Sequence, residues 1–257
     1  MSVMIGPAAL VWLAGCGGKR VPPTTDPEEV VPTFVQIDLS DEEAEIDELD
    51  GIELNTLTAE CGNLLDLEPA ARLGRLSEQQ VRCLNGALDE AQRQTAKDRI
   101  SRLLLGDAWA KGDVHRWMGV AARHLTEVER ADPDLVYQFA YNLVQIGNPD
   151  RMDEAVYWAG VALENKSYWE GELHVRRVYG LYKIKSMAAF KEWEYLEGRY
   201  RTAPTSELQA SVEQARNDLK TYAREWLEYA KSSGRDVTEP MRLCSMAAGT
   251  EAFCSEQ

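Results

Sequence analysis

The chain has 257 residues, with 43 acidic against 28 basic side chains and a net charge of −15. That length allows one or two domains, and the balance argues against nucleic acid as a partner, because binding phosphate backbones needs clustered positive charge. The acidity is uneven: residues 17–53 carry twelve acids against Lys19 and Arg20, a net −10 of the total −15.

The chain opens on an apolar run, Val3 to Gly15. A membrane-spanning helix needs about 20 apolar residues, so this run is too short to span. It has the length of a signal-peptide h-region ending in small residues. Leu13-Ala14-Gly15-Cys16 resembles the lipobox of bacterial lipoproteins. The resemblance implies cleavage of a signal peptide (1–15), a lipid on Cys16, and export with attachment to a membrane. Gly17 after the cysteine resembles lipoproteins sent to the outer membrane, which implies its periplasmic face.

Residues 16–53 read as a lipid-anchored tether. Pro22, Pro23, Pro27 and Pro32 lie among Thr and Glu, and the acidic run Asp41–Asp50 follows. Such a segment buries too little apolar surface to offset its ordering entropy, which predicts disorder. As a flexible coil, a stretch of this length has an end-to-end distance of roughly 35 Å, enough to hold a domain clear of a membrane. The acidic run lacks the spaced ligands and central glycine of a calcium loop.

From residue 54 the pattern is helical and repeats. Ala87, Ala121, Ala155, Ala189 and Ala223 recur at a period of 34. Four residues on, the column reads Ala91, Leu125, Ala159, Trp193, Leu227; three further, Gln94, Val128, Ala162, Leu196, Ala230. Positions i, i+4 and i+7 form one helix face. Leu105-Gly106-Asp107-Ala108-Trp109 leads into Ala121 and Leu125, with Pro133 beyond, and Phe139-Ala140-Tyr141-Asn142-Leu143 repeats the first part. This resembles the tetratricopeptide pattern over roughly residues 70–232. The resemblance implies an all-α solenoid of helical hairpins over 54–235. In its third repeat the first helix slips by one, so that Val175 and Val178 take the places of Ala140 and Leu143. Ser206 to Lys231 reads as one long helix stopped by Gly234, and 236–257 as a stapled tail.

With Cys16 set aside as the lipid site, Cys61, Cys83, Cys244 and Cys254 remain, an even number that suits disulfides in an oxidising compartment. Three connectivities are possible. Cys61–Cys83 and Cys244–Cys254 are favoured because short loops close easily. The first would staple the first helix to the second, and the other a short tail to the last helix. The spacings lack a paired C-x2-C and nearby histidine, which argues against a metal.

Little else suggests chemistry. His115, His124 and His174 follow no metal spacing, and neither a nucleophile elbow nor a phosphate loop occurs. His115 and His124 read as surface or cap residues, Glu192 and Glu194 as solvated acids, and the tryptophans as mainly core. No catalytic residue, cofactor or metal is expected. In tetratricopeptide proteins the first helix of each repeat lines a binding groove. By resemblance that places Asp107, Lys111, Tyr137, Tyr141, Arg176 and Tyr179 on it, with Tyr and Arg as interface anchors. The expected role is a non-catalytic envelope lipoprotein that scaffolds protein partners, of the secretin, motility or outer-membrane assembly type. The alternatives are a receptor for a small ligand or peptidoglycan fragment, and an envelope enzyme with a dispersed site.

Overall fold

The computed structural model describes residues 48–129, 132–248 and Cys254. Cys16, the apolar run before it and the tether up to residue 47 lie outside the described residues. The described residues form ten α-helices and no strand: α1 (Glu48–Thr58), α2 (Leu64–Arg72), α3 (Glu78–Glu90), α4 (Gln94–Ala110), α5 (Val114–Glu127), α6 (Pro133–Ile146), α7 (Met152–Glu164), α8 (Gly171–Thr202), α9 (Ser206–Ser233) and α10 (Thr238–Ala248).

Local chemistry sets the boundaries. Ser77 and Gln80 form a reciprocal capping box at the start of α3. Asp113 accepts the Arg116 N–H at the start of α5, and Asp132 accepts that of Asp134 beside Pro133 in α6. Gly147 (φ +71°) and Gly234 (φ +68°) end α6 and α9 in the left-handed conformation that glycine adopts without a Cβ clash.

The acidic segment becomes ordered earlier than its composition suggests. Residues 48–53 belong to α1, and a Glu53 oxygen accepts the N–H groups of Gln92 and Arg93 at 2.8 and 3.3 Å. Those are orphan donors at the entrance to α4, so this acid does structural work that charge counting cannot reveal.

Several polar bonds join residues about one period apart. Arg123 donates to Asp89 and to the Leu88 carbonyl, 34 and 35 residues earlier, tying α5 to α3. Glu129 N–H donates to Gln94, again 35 apart. The register then changes. Arg177 meets Asp134 across 43 residues and Lys191 meets the Val144 carbonyl across 47, so α8 runs parallel to α6 but shifted. The expected one-residue slip at Val175 and Val178 is therefore corrected. Two 3-10 turns, Pro149–Arg151 and Lys166–Tyr168, lengthen the intervening unit.

The larger departure is α8. It runs unbroken for 32 residues, through the turn expected inside the third repeat. Ala189, fourth in its column, thus lies in α8 rather than in a separate second helix. Its antiparallel partner is α9, joined to it by Lys185–Glu225 (3.0 Å), Tyr179–Trp226 and Tyr182–Tyr229. The apolar core divides on α8. Ala188 belongs to a cluster reaching back to Leu54, whereas Ala189 belongs to one with Leu219, Trp226, Leu243 and Cys254.

Disulfides join Cys61 to Cys83 and Cys244 to Cys254, the pairs favoured for their closeness in sequence. Cys61 sits in the turn after α1 and Cys83 in α3, so the first bond bypasses α2 rather than linking consecutive helices. The expected tail is largely the helix α10, which lays Leu243, Cys244 and Ala247 against α9 and receives Arg216 on the Ala247 carbonyl at 2.8 Å.

Candidate partner-binding surface

The six residues expected on a groove do not form one surface. Asp107 is fully buried. Its Oδ1 accepts the Leu76 N–H at 3.0 Å, and its Oδ2 accepts Lys111 at 2.9 Å and Arg116 at 2.6 Å. Lys111 also donates to the Leu76 carbonyl at 2.7 Å. Asp107 and Lys111 together pin the loop after α2 onto α4, so the expectation of a groove acid is corrected. A charge can sit there because every carboxylate oxygen is paired.

Tyr137 is a packing residue too. Arg177 lies 4.6 Å above its ring, Trp169 meets it edge-on, and a Cβ at Gly180 would collide with its hydroxyl. Burial pushes its phenol above the usual range. Beside it, Asp134 accepts Trp169 Nε1 at 3.0 Å and Arg177 Nε at 2.9 Å. Burial raises the Asp134 carboxyl, and Arg177 opposes that rise.

Tyr179 donates to the Asp236 carbonyl at 3.0 Å and packs edge-on against Trp226. Burial pushes its phenol up to about 12. It belongs to the α8–α9 core rather than a groove. Tyr141 is half-buried against the first core cluster, while Arg176 and Lys111 are exposed.

His124 is likewise corrected, being 1% exposed rather than a surface residue. Its Nδ1 lies 2.7 Å from Ser101 Oγ, and its Nε2 lacks a hydrogen-bond partner, 3.8 Å from Asp98 Oδ1. Burial lowers its pKa to about 4. Serine, histidine and aspartate thus meet, but Ser101 is buried and its Oγ is also within bonding distance of the Lys97 and Asp98 carbonyls. Glu192, expected to be solvated, is half-buried, and that burial raises its pKa, with Asp153 and Asp218 adding to the effect. His174 Nδ1 approaches the Lys166 and Trp169 carbonyls, tying down the loop before α8. The described tryptophans are core or half-buried, as expected of mainly core residues: Trp117, Trp169 and Trp226 are buried and Trp109, Trp158 and Trp193 half-buried. Among the described residues, no three potential metal ligands gather.

A cleft of about 280 Å³ opens instead between α5 and α6. Met118, Gly119 and Ala122 form one wall, Leu143 and Ile146 the other, and His115, Asn148 and Arg151 the rim. Ile146 remains exposed, and a Cβ at Gly119 would meet nothing within 4 Å. Arg151 is held by both oxygens of Glu154 at 2.7 and 3.0 Å, which keeps its guanidinium charged. The sequence held one sign of this site: Gly119 lies inside a helix, where glycine costs about 1 kcal/mol relative to alanine and often marks a packing or functional need.

Comparison with known proteins returned no match to a family model, a curated protein or a solved structure.

Proposed function

We propose that this chain is a non-catalytic, lipid-anchored envelope scaffold with tetratricopeptide-like repeats, and that the α5–α6 cleft receives an apolar side chain of a protein partner. The observation that carries this reading is the set of bonds about 34 residues apart, since stacked repeats set equivalent positions side by side. The parallel run of α6 and α8 adds to it. Lipid attachment through Cys16 rests on the lipobox; the disulfides are compatible with export. No described helix is long and apolar enough to cross a membrane.

The cleft is small. Ligand pockets commonly enclose about 300–1,000 Å³, so a volume at the lower edge favours an inserted side chain over an enclosed ligand. Its apolar walls and polar rim match the division of a protein interface. A Cβ at position 119 meets nothing within 4 Å, so Gly119→Leu should project into the cleft and fill it. Crosslinked pull-downs from intact cells should lose a discrete set of envelope partners with this variant while its melting temperature stays within a few degrees of the parent. Unchanged partners would refute the cleft. Ligand-dependent melting without protein partners would favour the receptor alternative.

A further inference from the structure

The two ends of the helical array differ. At the C-terminal end, α10 turns Thr238, Arg242 and Ser245 to solvent, and Arg242 lies against Met246 at 3.2 Å. That is a largely polar outer face, as expected of a terminal cap, with Met246 (39% exposed) its one large apolar side chain among the described residues. At the N-terminal end, α2 and the residue that caps it expose Leu65 (79%) and Leu73 (60%), with Pro69 also exposed between them. Positions 65, 69 and 73 advance four residues at a time, so they line one side of a short helix. Leu67 and Ala71, on the opposite side, are fully buried.

We infer that the α2 face joins two copies of this chain in an antiparallel, two-fold pairing. The charge around the leucines selects this occupant. Glu60 and Asp66 lie at the start of α2, and Arg72 and Arg75 at its end. None of the four makes an ion pair among the described residues. A surface that is acidic at one end and basic at the other complements itself when turned by 180°, as an isologous interface requires. With Pro69 on the axis, Leu65 lies opposite the second copy's Leu73, and the acidic end of each helix lies beside the basic end of the other. The opposed helix dipoles favour the same orientation. An anionic lipid surface fits poorly, because acids flank one end of the stripe.

The test uses the full chain in intact cells. Pro69→Cys places a thiol on the axis, and mild oxidation should give a disulfide-linked dimer on a non-reducing gel. Gln209→Cys, exposed on α9, should not. Adding Leu65→Asp to Pro69→Cys should reduce the dimer by about tenfold or more, as removal of an interface anchor does. Asp66→Arg should also reduce it, and Asp66→Arg with Arg72→Asp should restore it, since the swapped charges complement again. Circular dichroism of each purified variant checks that helix content is retained. A Pro69→Cys chain that stays monomeric, or a crosslink indifferent to Leu65→Asp and to the charge reversals, would overturn the pairing.

Discussion

The short helices α3–α7 and the long α8–α9 hairpin carry the same alanine period but use it differently. In the first region the column enters separate helices: Ala87 in α3, Ala121 in α5 and Ala155 in α7. In the second, Ala189 and Ala223 lie on the two arms of a single hairpin twice as long. All five alanines are buried, so the period marks where helices pack closely. It does not mark where the chain turns. Turns come from breakers: Gly112 (φ +67°) with Asp113 as cap, then Gly147 with Asn148 and Pro149. One period further on, Gly180 falls near the same place, but it is helical and packs against Tyr137, and residues 181–187 (Leu-Tyr-Lys-Ile-Lys-Ser-Met) supply no Asp, Asn or Pro beside it, so the helix continues.

Substitutions can break this contrast, starting with the largest effect. Trp226 is fully buried in the second cluster, against Tyr179. Trp226→Ala should destabilise by about 3–5 kcal/mol. Because the core divides on α8, hydrogen exchange should show the loss concentrated in α9 and α10, with α3–α5 retaining protection. A uniform loss would mean that the two regions unfold as one.

Met187→Pro tests whether the long helix is an accident of missing breakers. It removes a helix hydrogen bond midway along α8 and should destabilise by about 3 kcal/mol or more, seen as a lower urea midpoint. Retained stability would indicate that an extra hairpin forms there at little expense.

His124 marks the first region by its pH response. Its folded pKa of about 4 lies below the unfolded value near 6.5, so the unfolded chain binds more protons between these limits. Stability from this group is present above pH 6.5 and is lost as pH falls toward 4. The loss is on the order of 3 kcal/mol. The facing charges are Asp98 and Arg102 from α4 and Asp132 at the start of α6. Denaturant melts from pH 7 to 4 should show a shallower decline in His124→Gln than in the parent. Parallel declines would assign the acid sensitivity to other groups.

Much of the framework was legible in the sequence. The limits of α9 and its stop at Gly234 follow from apolar spacing and a glycine, both local signals. The burial of Trp117 and Trp226 follows from their chemistry. The misplaced residues are those whose partners are distant in sequence. Asp107 reads as a surface acid until Leu76, 31 residues away, supplies an N–H. Glu53 reads as part of a solvated run until the Gln92 and Arg93 N–H groups, 39 and 40 residues away, meet it. His124 reads as a cap until Ser101 meets it across 23 residues. The α5–α6 cleft was hidden for a related reason. An open space beside Gly119 depends on how two hairpins stack, and only the helix-interior glycine hinted at it.

The most direct measurement is site-specific photocrosslinking in intact cells, with the probe at Ile146 on the cleft or at Gln209 on the exposed turn of α9. The account predicts a discrete adduct with an envelope protein from Ile146, absent from Gln209 and lost when Gly119→Leu fills the cleft. Equal adducts from both positions, or an Ile146 adduct that survives Gly119→Leu, would contradict it.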